Sequence, residues 1–216
     1  MPRTPRRKLL VEGDEDMRVI PQLVEKNGIV WGEKKEDWIV TVEPSDGIHE
    51  LLRPRYIETE LKASGLDALG ILVDADEDCA ARWAQIKRHC DPTFPILPEI
   101  FPLEGLVLEN ENGLRLGVWI MPDNHSSGML ETFLNSLIPQ DGQQLLDYAR
   151  QSLVNSRQYD APWKETHADK ALVHTWLAWQ DPPGCQLHTA IIANQLQPNT
   201  ESAKAFMSWF RKLYGL

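Results

Sequence analysis

Three acidic residues follow two apolar segments that are predicted to be strands of a parallel sheet. Glu12 directly follows an apolar segment that ends at Val11. Asp74 and Asp76 follow a second apolar segment, residues 69–73. In an open parallel sheet, ligands are bound at the carboxyl ends of the strands. Two carboxylates about 4 Å apart repel by roughly 4 kcal/mol at an effective dielectric constant of about 20, so a cluster of such groups favours a bound cation. Ligand sets made only of oxygen are typical of Mg²⁺ or Mn²⁺ rather than zinc.

The spacing of Asp74 and Asp76 predicts that the two carboxylates point to the same ion. Residues i and i+2 of an extended chain project from the same face. A second interpretation needs no metal: Asp14 and Asp76 cap helices, while Glu12 and Asp74 lie in solvent at the strand ends. A D-x-D triplet is common, so its spacing alone leaves both interpretations open.

The hydrophobic pattern predicts the elements that would position these acids. In chain order, they are a strand over residues 8–11, a helix from about residue 14 to Gly28, a strand over 38–42, a helix over 47–63 that is broken near Pro54, a strand over 69–73, a helix to about residue 89, a proline-rich connector over 91–102, a hairpin of strands 105–108 and 114–121, and helices over 129–138, 141–154, 169–180 and 200–214. Alternating strands and helices predict a parallel sheet with right-handed crossovers. We therefore expect an α/β core over residues 6–125 and a mainly helical extension over 126–216, packed together as one compact unit.

Composition and charge exclude several classes of protein. The 216 residues carry a net charge of -10, which argues against a broad basic surface for nucleic acid. Metal ions or a second protein would have to supply positive charge for such a ligand. No window approaches the roughly 20 apolar residues that cross a bilayer, so we expect a cytoplasmic protein without membrane contact. The three cysteines form no C-x-x-C pair, which gives no support to a disulfide framework or a cysteine zinc site.

Three further residues are candidates for the same site. Asp123 follows the strand over 114–121 and Glu131 begins the helix over 129–138, so each is a candidate metal ligand. Their other interpretations are a turn residue after proline and a first-turn charge favoured by the helix dipole. Lys170 would stabilise phosphoryl charge, or it is simply a solvated helix lysine.

Two segments of the chain resemble the acidic motifs of the Toprim domain, the metal-binding fold shared by topoisomerases, bacterial primases and several nucleases. They are residues 10–16, LVEGDED, and residues 71–76, ILVDAD. They lie about 60 residues apart with one βα unit between them, as that fold requires. The resemblance covers residues 6–125 and implies a Toprim-like sheet. It also implies that Glu12 acts as a general acid or base that can share the metal, while Asp74 and Asp76 coordinate Mg²⁺.

A wider resemblance covers nearly the whole chain. The chain is similar to a stand-alone bacterial Toprim-like family of unassigned function, related in outline to the nucleases of the OLD (overcoming lysogenization defect) group. The segments that suggest this are residues 117–124 (GVWIMPDN), 128–131 (GMLE) and 169–171 (DKA) leading into 176–179 (WLAW). By the same resemblance, Lys170 takes the part of the lysine that stabilises phosphoryl charge in OLD-type nucleases.

The expected activity is Mg²⁺- or Mn²⁺-dependent hydrolysis of phosphodiester bonds in nucleic acid, with water as the nucleophile. No tyrosine has the setting of a topoisomerase nucleophile, and the cysteine zinc motif usual in primases is missing. The main rival is a regulatory module that acts as partner of a separately encoded ABC-type ATPase, the domain to which OLD-type nucleases are commonly fused. A small RNA-maturing nuclease is a third candidate. The sequence leaves open DNA or RNA as substrate, and a monomer or a homodimer as the working form.

Overall fold

The computed structural model describes residues 6–90 and 93–216, so the first two residues of the proline-rich connector lie outside the described part. Within that part, one five-stranded sheet has the order β2-β1-β3-β5-β4. The strands are β1 (Arg7–Val11), β2 (Thr41–Pro44), β3 (Ala68–Asp74), β4 (Leu106–Glu109) and β5 (Arg115–Met121). Only the β4–β5 hairpin is antiparallel; β1, β2, β3 and β5 run parallel. The predicted α/β fold is confirmed.

Helices cover both faces of this sheet, and those of the C-terminal part pack on one of them. They are α1 (Asp14–Lys26), α2 (Ile48–Leu51), α3 (Tyr56–Leu61), α4 (Cys79–Cys90), α5 (Leu130–Asn135), α6 (Gln143–Ser156), α7 (Ala168–Ala178), α8 (Leu187–Ile192) and α9 (Glu201–Tyr214). One buried hydrophobic cluster contains residues of α1, α5, α6, α7, α8 and α9. The other contains residues of α2, α3 and α4 and lies on the opposite face of the sheet. None of the described helices has the length and apolar character that a membrane span needs.

Burial explains where the strands form. The β1 and β3 strands are buried almost throughout, as strands covered on both faces must be. The second strand begins at Thr41, later than predicted, because the N–H of Ile39 donates instead to the carbonyl of Trp31 outside the sheet. The predicted break near Pro54 is confirmed, since it separates α2 from α3.

Two paired glycines make room for the C-terminal helix. Gly70 of β3 and Gly117 of β5 face each other across the sheet. A Cβ atom at Gly70 would clash with the Tyr214 hydroxyl, and one at Gly117 would clash with Cδ2 of Leu213. The Tyr214 hydroxyl donates a hydrogen bond of 2.8 Å to the carbonyl of Lys8 in β1. The last turn of α9 therefore rests directly on the sheet backbone.

Gly117→Ala should destabilise the protein by about 1 to 3 kcal/mol, since an added methyl group overpacks the contact with Leu213. The measurement is the midpoint of urea unfolding followed by tryptophan fluorescence. Leu213→Ala supplies the control, because the double variant should lose less than the sum of the two single losses. Strictly additive losses would show that the two positions do not share this contact.

Candidate functional site

The first two predicted acids meet at the carboxyl ends of β1 and β3. These strands are parallel neighbours, with Val11 opposite Leu72, so the residues that follow them leave the sheet side by side. Oε1 of Glu12 accepts a hydrogen bond of 2.8 Å from the backbone N–H of Asp74. Both side chains are partly buried. The sheet therefore brings these carboxylates together as the sequence predicted.

A third carboxylate, Asp16, joins them from the start of α1. Gly13 is the N-cap of this helix, and Asp16 is its third helical residue. Oδ2 of Asp16 accepts a hydrogen bond of 3.0 Å from the N–H of Gly13. This capping contact turns the carboxylate back toward the strand end that carries Glu12.

The fourth carboxylate comes from α5 and brings a lysine of α7 with it. Glu131 is only 5% exposed, although its side chain is a carboxylic acid, and it lies in the first turn of its helix. Its Oε1 atom is 3.1 Å from Nζ of Lys170, which is half exposed. The N–H of Leu130 donates a hydrogen bond of 2.9 Å to Oδ1 of Asp74, which ties the start of α5 to the end of β3.

The four carboxylates, Glu12, Asp16, Asp74 and Glu131, line one open cleft of about 740 Å³, called here the acidic cleft. Its remaining lining residues are Gly13, Asp14, Glu15, Pro44, Asp46, Gly47, Met129, Leu130, His167 and Lys170. The two sequence-predicted ligands Asp76 and Asp123 do not line it. The acidic cleft is therefore built from the ends of β1, β2 and β3, the loop after β2, and the helices α1, α5 and α7, so it draws on both the predicted core and the C-terminal extension.

Burial and nearby negative charges raise the pKa of the Glu12, Asp16 and Asp74 carboxyl groups. Burial, helped by the charges of Glu12 and Glu131, raises the pKa of Asp16 from 3.8 to about 7. Burial and the neighbouring Asp16 and Glu12 charges raise the pKa of Asp74 well above its usual range. Burial also raises the pKa of Glu12, although the hydrogen bond from the Asp74 N–H opposes the rise. A cation in the cleft would relieve this repulsion.

The donor chemistry of the cleft suits a hard cation, but the side chains are not yet arranged around one. Within residues 6–90 and 93–216, no three His, Cys, Asp or Glu side chains form a group that would hold a metal ion as they stand. The carboxylates of Glu12, Asp16 and Asp74 each use one oxygen to accept a backbone N–H. Binding a Mg²⁺ or Mn²⁺ ion would therefore require some of these carboxylates to rotate.

The structure places Asp76 outside the lining of the acidic cleft. β3 ends at Asp74, and Asp76 has a φ of +54°, so the backbone is not extended between the two residues. The carboxylate of Asp76 forms an ion pair with Arg82 of α4. Its backbone is bound to Gly128 by two hydrogen bonds of 2.8 and 2.9 Å. The role of Asp76 as a metal ligand stays a prediction, and it would require the side chain to leave Arg82.

The carboxylate of Asp123 is occupied by its own turn. Oδ1 accepts a hydrogen bond of 2.8 Å from the N–H of Ser126, and Oδ2 accepts one of 2.9 Å from the Ser126 hydroxyl. The ring Nδ1 of His125 lies 3.1 Å from Oδ1. These contacts are those of the turn interpretation. A metal-binding role for Asp123 stays a prediction.

Two residues of this region were not assigned a functional role from the sequence. Asp16 is one of three acids in the first turn of α1, and its position three residues after Gly13 signals a capping contact that points back to Glu12. The sequence did not single out Arg82, because an arginine in the predicted helix that ends at about residue 89 has the pattern of an ordinary surface charge. Its partners lie in the turn after β3, where sequence spacing does not reveal them.

An α/β protein with an acidic cleft at the carboxyl ends of its parallel strands is the class that the fold and the site define. A family model described as "Protein of unknown function (DUF3226)" matches residues 6–215. The chain belongs to this DUF3226 family. No curated protein and no solved structure matches it.

Proposed function

We propose that this chain hydrolyses phosphodiester bonds of nucleic acid with Mg²⁺ or Mn²⁺ bound in the acidic cleft, as a Toprim-type enzyme. One observation carries the proposal: four carboxylates from four separate elements converge on one cleft, against the single ammonium of Lys170. A cluster of this kind is unfavourable without a cation, so it is more typical of a ligand site than of a structural one.

The carboxylates divide into those suited to hold an ion and one suited to move a proton. Asp74 is the proposed main ligand, with Asp16 and Glu131 completing an oxygen-only set. When bound, a divalent ion would lower the pKa of a water molecule and offset charge on the phosphate. Glu12 is the proposed general acid or base, because its raised pKa brings it closer to neutral pH than an exposed glutamate.

Lys170 is the proposed partner of the phosphate. It is the only lysine or arginine among the described residues that line the acidic cleft, and half of its side chain is exposed. The ion pair with Glu131 holds its ammonium at the cleft wall. From there it can donate to a phosphate oxygen without giving up contact with the protein.

A second candidate function is a regulatory Toprim-type module that binds an ABC-type ATPase. The observation in its favour is a group of large apolar side chains on the connector before β4: Ile96, Ile100 and Leu103 are 88%, 86% and 66% exposed. Exposed apolar groups of this size favour a protein contact. The net charge of -10 also limits how firmly the chain alone would hold nucleic acid. Turnover by the purified chain decides between the two.

Asp74→Asn should weaken Mn²⁺ binding by a factor of ten or more, because it removes the proposed main ligand. Isothermal titration calorimetry at pH 7.5 measures the effect. Asp67→Asn is the matched control: it changes the same residue type just before β3, at the opposite end of the strand, where Asp67 is paired with Arg6. Equal Mn²⁺ affinity of wild type and Asp74→Asn would remove the metal site from the proposal.

A further inference from the structure

Arg82 is an unusual cation in this protein because its guanidinium group is almost fully buried beside the end of β3. Its side chain is 9% exposed. Nε donates a hydrogen bond of 2.8 Å to the carbonyl of Asp74, and an Nη atom donates one of 3.0 Å to the Gln85 side chain. The other Nη atom is paired with Asp76, the only carboxylate in ion-pair contact with Arg82 in the described part of the chain.

The side chain of Asp76, which is the partner of this buried charge, has room to rotate into solvent. Half of the Asp76 side chain is exposed, whereas its backbone is held by two hydrogen bonds to Gly128. A rotation of the side chain alone would therefore break the ion pair without moving the loop. Asp76 and Arg82 also lie close enough to Glu12 for their charges to act on its carboxyl group.

Arg82 and Asp76 line a second cleft of about 640 Å³ that adjoins the acidic cleft. Met129 lines both clefts. Four further acids line the second cleft, so Arg82 alone would be a weak anion site there; they are Glu77, Asp78, Glu165 and Asp169. A cation in the neighbouring cleft would offset these charges and so strengthen the binding of a phosphate group at Arg82.

We propose that Asp76 and Arg82 form an exchangeable pair: Asp76 moves from Arg82 to a metal ion in the acidic cleft, and a phosphate group of the nucleic acid takes its place on Arg82. The inference rests on the proposed function and deepens it by naming a substrate contact. Removing Asp76 without replacement would leave a buried guanidinium unpaired, which is strongly unfavourable. Metal and phosphate should therefore each strengthen the binding of the other by the same factor.

A double-mutant cycle on Mn²⁺ affinity tests the exchange. Arg82→Gln should bind Mn²⁺ about tenfold more tightly than wild type in the absence of phosphate, because Asp76 no longer has a competing partner. Asp76→Asn should bind more weakly than wild type, and adding Arg82→Gln to it should give no further gain. Arg18→Gln is the control for a general charge effect, since Arg18 is an exposed arginine paired with Glu15 at the rim of the acidic cleft.

The cycle has clear contrary outcomes. An equal gain from Arg82→Gln with and without Asp76, or a gain no larger than that of Arg18→Gln, would show a charge effect and overturn the exchange. Weaker Mn²⁺ binding by folded Arg82→Gln would show a merely structural role and would also overturn it. Normal Mn²⁺ binding in wild type, lost in Asp74→Asn, would leave the proposed function standing in both cases.

The phosphate side of the exchange needs no change to Arg82, so it remains testable if Arg82→Gln does not fold. The probe is a thymidine dinucleotide, with its uncharged methylphosphonate analogue as control. Asp76→Asn, which frees Arg82, should bind the dinucleotide at least fivefold more tightly than wild type without metal, and should not bind the analogue more tightly. A parallel titration with inorganic phosphate separates the sources: coupling with inorganic phosphate but not with the dinucleotide would overturn the assignment to nucleic acid. Equal affinity of both proteins for the dinucleotide would overturn the phosphate contact.

Discussion

Glu12→Gln is expected to lower the rate of nucleic-acid hydrolysis by a factor of 100 or more while leaving the fold intact. A general acid or base contributes about 100- to 10,000-fold to a rate, and glutamine has the size of glutamate without its ionisable group. The amide oxygen can still accept the hydrogen bond from the Asp74 N–H. The measurement is single-turnover cleavage of labelled single-stranded DNA and RNA at saturating Mn²⁺, with Mn²⁺ affinity measured separately.

Glu15→Gln is the matched control for this rate, because Glu15 lines the same cleft but forms an ion pair with Arg18. It should retain the wild-type rate within about threefold. If Glu12→Gln cleaves as fast as wild type, Glu12 handles no proton in the reaction. If wild type is inert on DNA and RNA with both metals, the enzyme proposal fails and the ATPase-partner module becomes the better account.

Asp16→Asn is expected to stabilise the metal-free protein at pH 7.5 by about 2 to 4 kcal/mol, since each unit of pKa shift corresponds to roughly 1.4 kcal/mol. The Asp16 carboxyl has a pKa of about 7 in the folded protein and 3.8 without its surroundings. At a pH between these two pKa values, the Asp16 carboxyl group is ionised in the unfolded chain but protonated in the folded protein. The free energy of unfolding of wild type should therefore fall as pH rises from about 4 to about 7, then level off.

Urea unfolding at pH 5 and pH 7.5, with chelator present, measures this dependence. Asp16→Asn should flatten it, whereas Asp14→Asn should not, because Asp14 is an exposed acid in the same helical turn. Saturating Mn²⁺ should also restore stability to wild type at pH 7.5 by binding only the folded state. A wild-type stability that rises from pH 5 to pH 7.5 under chelation would contradict the repulsion in the acidic cleft.

The elements around the site were largely predictable because their signals are local. The buried segment over residues 69–73, the acidic start of α1 and the hairpin turn at Asn112-Gly113 each carry their own pattern, and the structure has all three elements. The boundary of the second strand was less predictable. Its start depends on the backbone hydrogen bond from Ile39 to Trp31, and no feature of the sequence around these two residues predicts that contact.

The site was predictable only as far as regular geometry extends. Glu12 and Asp74 meet because parallel neighbours end at one edge, a rule that a sequence can support. The rule for Asp76 required extended backbone, and the chain instead turns there with a positive φ. The position of Asp16 follows from its capping contact with Gly13, but the arrival of Glu131 depends on how α5 packs on the sheet, which no spacing in the sequence reports.

The packing of α9 against the paired glycines Gly70 and Gly117 also affects the order in which the chain can fold during synthesis. The hydrogen bond between Tyr214 and Lys8 joins residues 206 positions apart, so β1 is bound to an element that is translated far later. Until α9 has left the ribosome, the apolar face of the sheet around Gly70 and Gly117 has no cover. Contacts of such long range slow folding and leave apolar surface exposed meanwhile. The nascent chain should therefore depend on chaperone protection during this interval.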